Sequence, residues 1–285
     1  MNSRAGGPLQ SRVIDTCFTV GVSPTVHFIA EEVLIPYMDE HGIDVQVIYQ
    51  PDESFHHQTP DWNPYLGNDY VSKVQHLYPE RIIGLATLQF YHQPPQGIEQ
   101  SCVTRNVTLE ELDRAIVQLR LGGVRINPIQ HNVHVNNRQI VWPILQELVR
   151  LQEQIGRRML VSVHAYGDSL NNSPEALAET ARRFPELLFL MQHAGFVWGW
   201  GTVNDVAAPV QNVLLDISTM PQKSIVYQTY ERSGIQKFCI GTDGPYGTAE
   251  LKQAIVDDFC RDEREREMIL GMNLAHWLSD TWETT

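Results

Sequence analysis

Four short apolar runs in the second half of the chain each end on an ionisable residue, and they restrict the fold more than any other feature. They read MLVSVH to His164, LLFLMQH to His193, VLLD to Asp216 and FCIGTD to Asp243. Successive ends lie 29, 23 and 27 residues apart, about the length of one strand, one helix and two turns. A strand buried on both faces reads as a continuous apolar run, so these are expected to be parallel strands. Their C-terminal ends then fall on one side of the sheet. A chain that sets His, His, Asp and Asp there is building a site.

The first half supplies four more strand candidates: 12–16, 45–50, 81–88 and 122–127. Helical spacing of apolar residues fills the gaps, at 31–41, near 67–78, and along QIVWPILQELVRLQEQIG. In TLEELDRAIVQLR, Thr108 is expected as the cap, with Glu111 closing a capping box. Ser173-Pro174-Glu175 is a helix start, with the serine as cap and proline at the first helical position. Residues 224–233 and 248–259 fill the later gaps, and 263–280 turns from a charged run into an apolar-faced helix. Eight strands alternating with helices predict an α/β fold, a (β/α)8 TIM barrel. A doubly wound open sheet is the alternative, but no GxGxxG follows the first strand. Nothing reads as a linker, so the expected organisation is a flexible tail over 1–11 and one barrel domain over 12–285.

Composition narrows the function. The 285 residues carry a formal net charge of −13. No basic stripe is present to neutralise phosphates, which argues against nucleic acid as a partner. Four cysteines, at 17, 102, 239 and 260, form no CxxC pair, and a disulfide framework is not expected. The start, MNSRAGGPLQSR, lacks the apolar stretch of a signal peptide. No apolar run approaches the roughly 18 residues needed to span a membrane. These features predict a soluble, cytoplasmic protein that acts on a small molecule and has no membrane partner.

Alternation along a strand assigns side chains to faces. With His164 in the barrel mouth, Ser162 and Leu160 face inward. With Asp243 there, so do Gly241 and Cys239. The same rule puts Val13, Asp15 and Cys17 inward on the first strand, and Arg125 and Asn127 inward on the fourth.

The segments VSVHAYG, FLMQHAGF, VLLDIS, CIGTDGPYG and MILGMNLAHWL resemble, in order and spacing, the amidohydrolase-2 branch of the amidohydrolase superfamily. The likeness runs from about residue 12 to 280. It implies a (β/α)8 enzyme. Many members hydrolyse amides or lactones, and others decarboxylate aromatic or unsaturated acids. Most hold one divalent metal through an HxH pair after strand 1, the strand-5 His and the strand-8 Asp. By this resemblance His164 is the strand-5 ligand, His193 the strand-6 acid/base and Asp243 the strand-8 carboxylate. A homodimer is common among similar proteins.

The departure is at strand 1. Where the family reads I-D-x-H-x-H, this chain reads Ile14-Asp15-Thr16-Cys17-Phe18-Thr19. A catalytic zinc generally takes three protein ligands and one open position. His164 and Asp243 remain, and Cys17 is the candidate third ligand, because thiolate binds zinc well. The loop residues His27, His56, His57, His131 and His134 are further candidates. Zinc is the expected ion if one is held, and a metal-free site is the alternative. A carboxylate beside an imidazole still makes a general base. That favours an activated carbonyl, a lactone or ester, over an unactivated amide.

Arg125 is the candidate clamp for a substrate carboxylate, since guanidinium binds that group with two parallel bonds. A salt bridge to Asp15 is its structural alternative. Trp198 and Trp200 are candidate walls of an aromatic pocket. The expectation is an amidohydrolase-related hydrolase of a lactone, ester or amide with altered metal dependence. The alternatives are a metal-dependent decarboxylase of an aromatic or unsaturated acid, and an inactive barrel that binds a small ligand.

Overall fold

The computed structural model describes residues 12–22, 27–51, 64–88, 90, 103–131, 133–195, 199–219 and 223–278. The 1–11 tail lies outside them. Eight parallel strands follow one another: β1 (Ile14–Thr19), β2 (Val45–Tyr49), β3 (Ile82–Gly84, continued by Ala86–Thr87), β4 (Gly123–Ile126), β5 (Leu160–His164), β6 (Leu188–Gln192), β7 (Val213–Asp216) and β8 (Phe238–Cys239). One helix follows each: α1 (Ile35–His41), α2 (Pro64–Leu77), α3 (Val103–Asp113), α4 (Val141–Ile155), α5 (Pro174–Arg183), α6 (Trp200–Val206), α7 (Lys223–Ser233) and α8 (Ala249–Phe259). This is the (β/α)8 order. Two short helices, α9 (Glu263–Glu267) and α10 (Asn273–Leu278), end the described chain.

The strands form two arcs rather than one unbroken ladder. One contains β1, β2 and the first part of β3; the other runs from the second part of β3 to β8. A few backbone hydrogen bonds bridge the seams. At Leu85 the amide reaches Ile48 O at 2.8 Å, and Gly122 N reaches Gly84 O at 2.7 Å. Between β1 and the segment leaving β8, Thr16 N donates to Ile240 O at 3.0 Å and Thr19 N to Gly244 O at 2.7 Å.

Two apolar clusters follow from strand alternation. Val45, Val47 and Tyr49 of β2, Ile83 and Leu85 of β3, Leu160, Leu188, Leu190, Leu214 and Cys239 pack inside the ring. Leu274, Ala275 and Leu278 of α10 join them and plug its base. The intervening residues, such as Val124, Ile126, Val161, Val163, Phe189 and Leu215, pack outward against the helices. Each fully buried Leu, Ile or Phe contributes roughly 1.5–3 kcal/mol, so the doubly covered strands are the stable frame on which the rim is carried.

Two expectations need correction. Helix α3 starts at Val103, so Thr108 lies inside it rather than at its cap. Glu111 instead accepts from Asn68 Nδ2 at 2.7 Å and Arg114 Nε at 2.6 Å. The second correction concerns β1. Asp15 pairs with Gln46, but Phe18 pairs with Ile48, so three steps on β1 match two on β2. That extra residue is a β-bulge. It breaks strict alternation: Ile14 and Cys17 pack inside, Phe18 packs outside, and Thr16 Oγ1 reaches Asp216 Oδ2 at 3.0 Å. Asp15 faces outward with Gln46 and accepts from Thr242 Oγ1 at 2.6 Å, Thr242 N at 2.9 Å and Cys17 N at 3.1 Å. Asp15 therefore ties β1 to the segment after β8 and is not the partner of Arg125.

Candidate active site

The rim is where the backbone departs from the comfortable region. His193 (φ 62°), Ala194 (φ 40°), Thr219 (φ 59°) and Asp243 (φ 58°) take left-handed conformations just beyond β6, β7 and β8. Non-glycine residues there are uncommon and concentrate at functional sites. Gly241 is needed at this rim for a different reason. A Cβ on it would meet the Asp216 carboxylate oxygens at 2.5–2.6 Å.

Three side chains of ligand type converge at the mouth. Cys17 Sγ, one ring nitrogen of His193 and a carboxylate oxygen of Asp243 lie within 4.8 Å of one another. Cys17 Sγ is 3.6 Å from Asp243 Oδ1 and 3.1 Å from Tyr49 Oη. The β1 bulge lets the thiol share the inner face with Ile14. His193 is oriented by Ser218 Oγ at 2.9 Å and Thr219 Oγ1 at 3.3 Å, both on Nδ1, which leaves Nε2 to act. Asp243 carries backbone order of its own: its carbonyl accepts from Tyr246 N and Gly247 N, each at 2.8 Å.

His164 stands beside this group. Its ring meets the His193 ring edge-on at 4.8 Å and stacks on Tyr166 at 5.8 Å. Its Nδ1 is 3.4 Å from Arg125 Nη2. Among the described residues it is His193, not His164, that joins Cys17 and Asp243. Arg125 is buried, with its guanidinium 4.6 Å over the Tyr49 ring.

Burial and charge set the protonation states. Burial, then the charge of Asp216, pushes the Asp243 carboxyl up to about 6. Burial and then Arg125 push His193 down to about 3. Burial and then His193 push His164 down as well. Both imidazoles are neutral near pH 7. Burial, then Asp243 and Asp216, push the Cys17 thiol up.

Four participants were not singled out from the sequence. Tyr49 shares the inward face of β2 with Val45 and Val47, a period-2 signal. Ser218 and Thr219 fall in an unremarkable turn. Lys252 is 2% exposed and stands in the buried stripe Ala249, Lys252, Val256, Phe259 of α8. Burial lowers its pKa, opposed by the charges of Asp216 and Asp243. A lysine on the apolar face of a helix is a legible signal.

Of the loop candidates, His131 packs edge-on against Phe90 at 4.8 Å, and His134 is exposed. Neither belongs to the converging group. His56, His57 and Trp198 lie outside the described residues, as do the side chains of His27 and Trp200. Asp216 accepts from Thr16 Oγ1 at 3.0 Å and Ser218 N at 2.6 Å, which pins the turn that orients His193. A cavity of about 720 Å³ lies at the opposite end of the barrel, where Gln211, Leu214, Lys237 and Trp277 line it; none of the mouth residues borders it.

The sequence profile of the amidohydrolase family matches residues 68–275. The chain belongs to this family. Among curated proteins none matches it. Solved structures share the architecture across 94% of the chain. One is 5-carboxyvanillate decarboxylase from Sphingomonas paucimobilis (16% identical, 99% of that chain, TM-score 0.68). Another is dihydroxybenzoic acid decarboxylase from Polaromonas sp. JS666, with bound manganese and the inhibitor 2-nitroresorcinol (14%, 96%, 0.68). A third is described as a probable 2-pyrone-4,6-dicarboxylic acid hydrolase from Acinetobacter baumannii, with citric acid bound (19%, 99%, 0.66). At these identities the likeness shows the fold alone. No described helix is long and apolar enough to cross a membrane.

The converging donors fit a divalent ion. In a tetrahedral zinc site with bonds of about 2.3 Å to sulfur and about 2.0 Å to oxygen, those two atoms are about 3.5 Å apart. Cys17 Sγ and Asp243 Oδ1 are 3.6 Å apart.

Proposed function

We propose that this amidohydrolase hydrolyses a small lactone or ester that bears a carboxylate. The reaction centre is Asp243 with His193, and Arg125 takes the carboxylate. The observation that carries this reading is the 4.8 Å convergence of Cys17, His193 and Asp243 at the mouth, beside a buried arginine.

Asp243 has the protonation behaviour of a general base. With its pKa near 6 it is ionised at neutral pH yet basic enough to accept a proton from water. The water oxygen bonds to the substrate carbonyl carbon as that proton moves to Asp243. Charge develops on the carbonyl oxygen, where a His193 Nε2–H, set by the Ser218 hydroxyl on Nδ1, can donate. As the C–O bond of the lactone or ester breaks, Asp243 returns the proton to the leaving oxygen. A divalent ion held by Cys17, His193 Nε2 and Asp243 would take the place of the Nε2–H at the carbonyl oxygen, supplying Lewis acidity and acidifying a bound water.

Arg125 fixes the other end. Its guanidinium lies between Tyr49 and His164, and a carboxylate there orients the carbonyl toward Asp243. A second reading, decarboxylation of an aromatic acid, is favoured by the flat surfaces offered by Tyr49 and by Tyr166 stacked on His164. The test is an assay of carboxylated lactones and esters, with and without chelator, alongside carbon dioxide release from aromatic acids. Ring opening or ester cleavage supports hydrolysis. Carbon dioxide release with no hydrolysis of any such substrate overturns it.

A further inference from the structure

A chain of hydrogen bonds crosses the lumen at the mouth and ends on the Cys17 thiol. Gln192 Nε2 donates to Tyr49 Oη at 3.2 Å, and Tyr49 Oη meets Cys17 Sγ at 3.1 Å. Asp243 Oδ1 lies 3.6 Å beyond the sulfur. Tyr49 closes β2 and Gln192 closes β6, so strands on opposite sides of the ring supply one contact. Tyr49, Gln192 and Cys17 are all buried. Among the described residues the Gln192 side chain makes this bond alone, and its Oε1 has no partner.

The backbone holds both ends of this chain in place. Tyr49 pairs with Thr19 of β1, and its carbonyl accepts from Val20 N at 2.9 Å. Gln192 pairs with His164 of β5, and its carbonyl accepts from Ala165 N at 3.2 Å. Burying a hydroxyl and an amide costs free energy that phenylalanine and leucine would not incur at these places. The bond to sulfur gives the pair a use. A sulfur that ligates an ion has lost its proton and can only accept. Tyr49 has one proton to give. With that proton on the sulfur, the phenol oxygen is open to a donor, and Gln192 Nε2 fills that place. The direction of the chain is then fixed, from Gln192 through Tyr49 to Cys17.

We propose that Tyr49 is a positioning residue for the ion that Cys17, His193 and Asp243 would hold. Its hydroxyl donates to the Cys17 sulfur and so aims the remaining lone pairs toward His193 and Asp243, while Gln192 keeps the hydroxyl in place. Partners of this kind are usually worth about 10- to 100-fold in metal affinity. The same bond draws electron density off the sulfur. Moving an electron from sulfur to a bound metal therefore takes more energy with Tyr49 than without it. This rests on the reading that Cys17 is a ligand.

The test is a cobalt(II) titration of the full chain, read by the energy of the sulfur-to-cobalt charge-transfer band and by the dissociation constant. Neither readout uses a substrate, so failure of the proposed hydrolysis leaves the role of Tyr49 testable. Tyr49→Phe is expected to bind cobalt(II) about tenfold more weakly or worse, with the band moved to longer wavelength. Phenylalanine keeps a ring beneath the Arg125 guanidinium, so that contact is not the variable. Gln192→Leu frees the hydroxyl to turn away from the sulfur. It should move the band in the same direction by less, which covers a Tyr49→Phe variant that fails to fold. A merely structural role would lower the melting temperature of both variants and leave band energy and dissociation constant unchanged; that result overturns the proposal. Cobalt(II) uptake by wild type with no charge-transfer band would remove Cys17 as a ligand, and the role of Tyr49 with it.

Discussion

The mouth of the barrel has two unlike halves. Toward β7, β8 and β1 it is built from carboxylates and a thiol: Asp216, Asp243, Cys17 and, on the outer face, Asp15. Toward β4 and β5 it presents Arg125 and the neutral His164. His193 on β6 stands where they meet, bonded to Ser218 on one side and ring-to-ring with His164 on the other. The acidic half is strained, with left-handed backbone at His193, Thr219 and Asp243. The basic half is held by regular register from β3 to β5. The difference teaches a division of labour. On the proposed reading, the reacting groups sit where the backbone is forced, and the group that only binds sits on regular strand.

The largest effect should come from the strained half. Asp243→Asn and His193→Gln are each expected to lower kcat by about 10²–10⁴-fold, the usual worth of a general acid or base. Asparagine tolerates the left-handed backbone at 243, so circular dichroism should show a folded protein. Normal turnover in both variants would remove the acidic half from the chemistry.

Next is Cys17. In a cobalt(II) titration the wild type is expected to take up one equivalent and show a thiolate-to-metal charge-transfer band, and Cys17→Ser should lose the band. A band that survives in Cys17→Ser would place the ion elsewhere. The smallest effect concerns the outward carboxylate. Asp15→Asn keeps an oxygen for both backbone N–H groups and an amide for Thr242 Oγ1, so urea unfolding should move by less than about 1 kcal/mol. Asp15→Ala strands those donors and should cost about 2–3 kcal/mol. Equal losses in the two variants would contradict the hydrogen-bonding role.

Much of this arrangement was legible in the chain. Continuous apolar runs of strand length at spacings of 23 to 29 residues gave β5 to β8, because doubly buried strands leave no polar face to interrupt them. Their last residues marked the rim, and the Ser173-Pro174 start of α5 is capped as expected, with Ser173 Oγ accepting from Ala176 N at 3.2 Å. Strand β1 was less legible. Period-2 reading cannot foresee a bulge, since the extra residue is decided by pairing with β2 and with the segment after β8. That one residue exchanges the faces of Asp15 and Thr16 while leaving Cys17 inside. The pairing of His193 rather than His164 with Cys17 was equally hidden. It depends on the left-handed turn at 193–194, which no spacing rule reports. Thr108 misled because a cap motif inside a longer helix looks the same as one at its start.

The division of the mouth is tested most directly by one ratio: kcat/KM for a carboxylated ester over that for its uncharged amide-bearing isostere. It is measured in wild type, Arg125→Lys and Asp243→Asn. The expected result is a preference of about 10- to 100-fold in wild type, its collapse in Arg125→Lys, and an equal loss of both rates in Asp243→Asn. A preference that survives in Arg125→Lys would contradict the separation of binding from chemistry between the two halves.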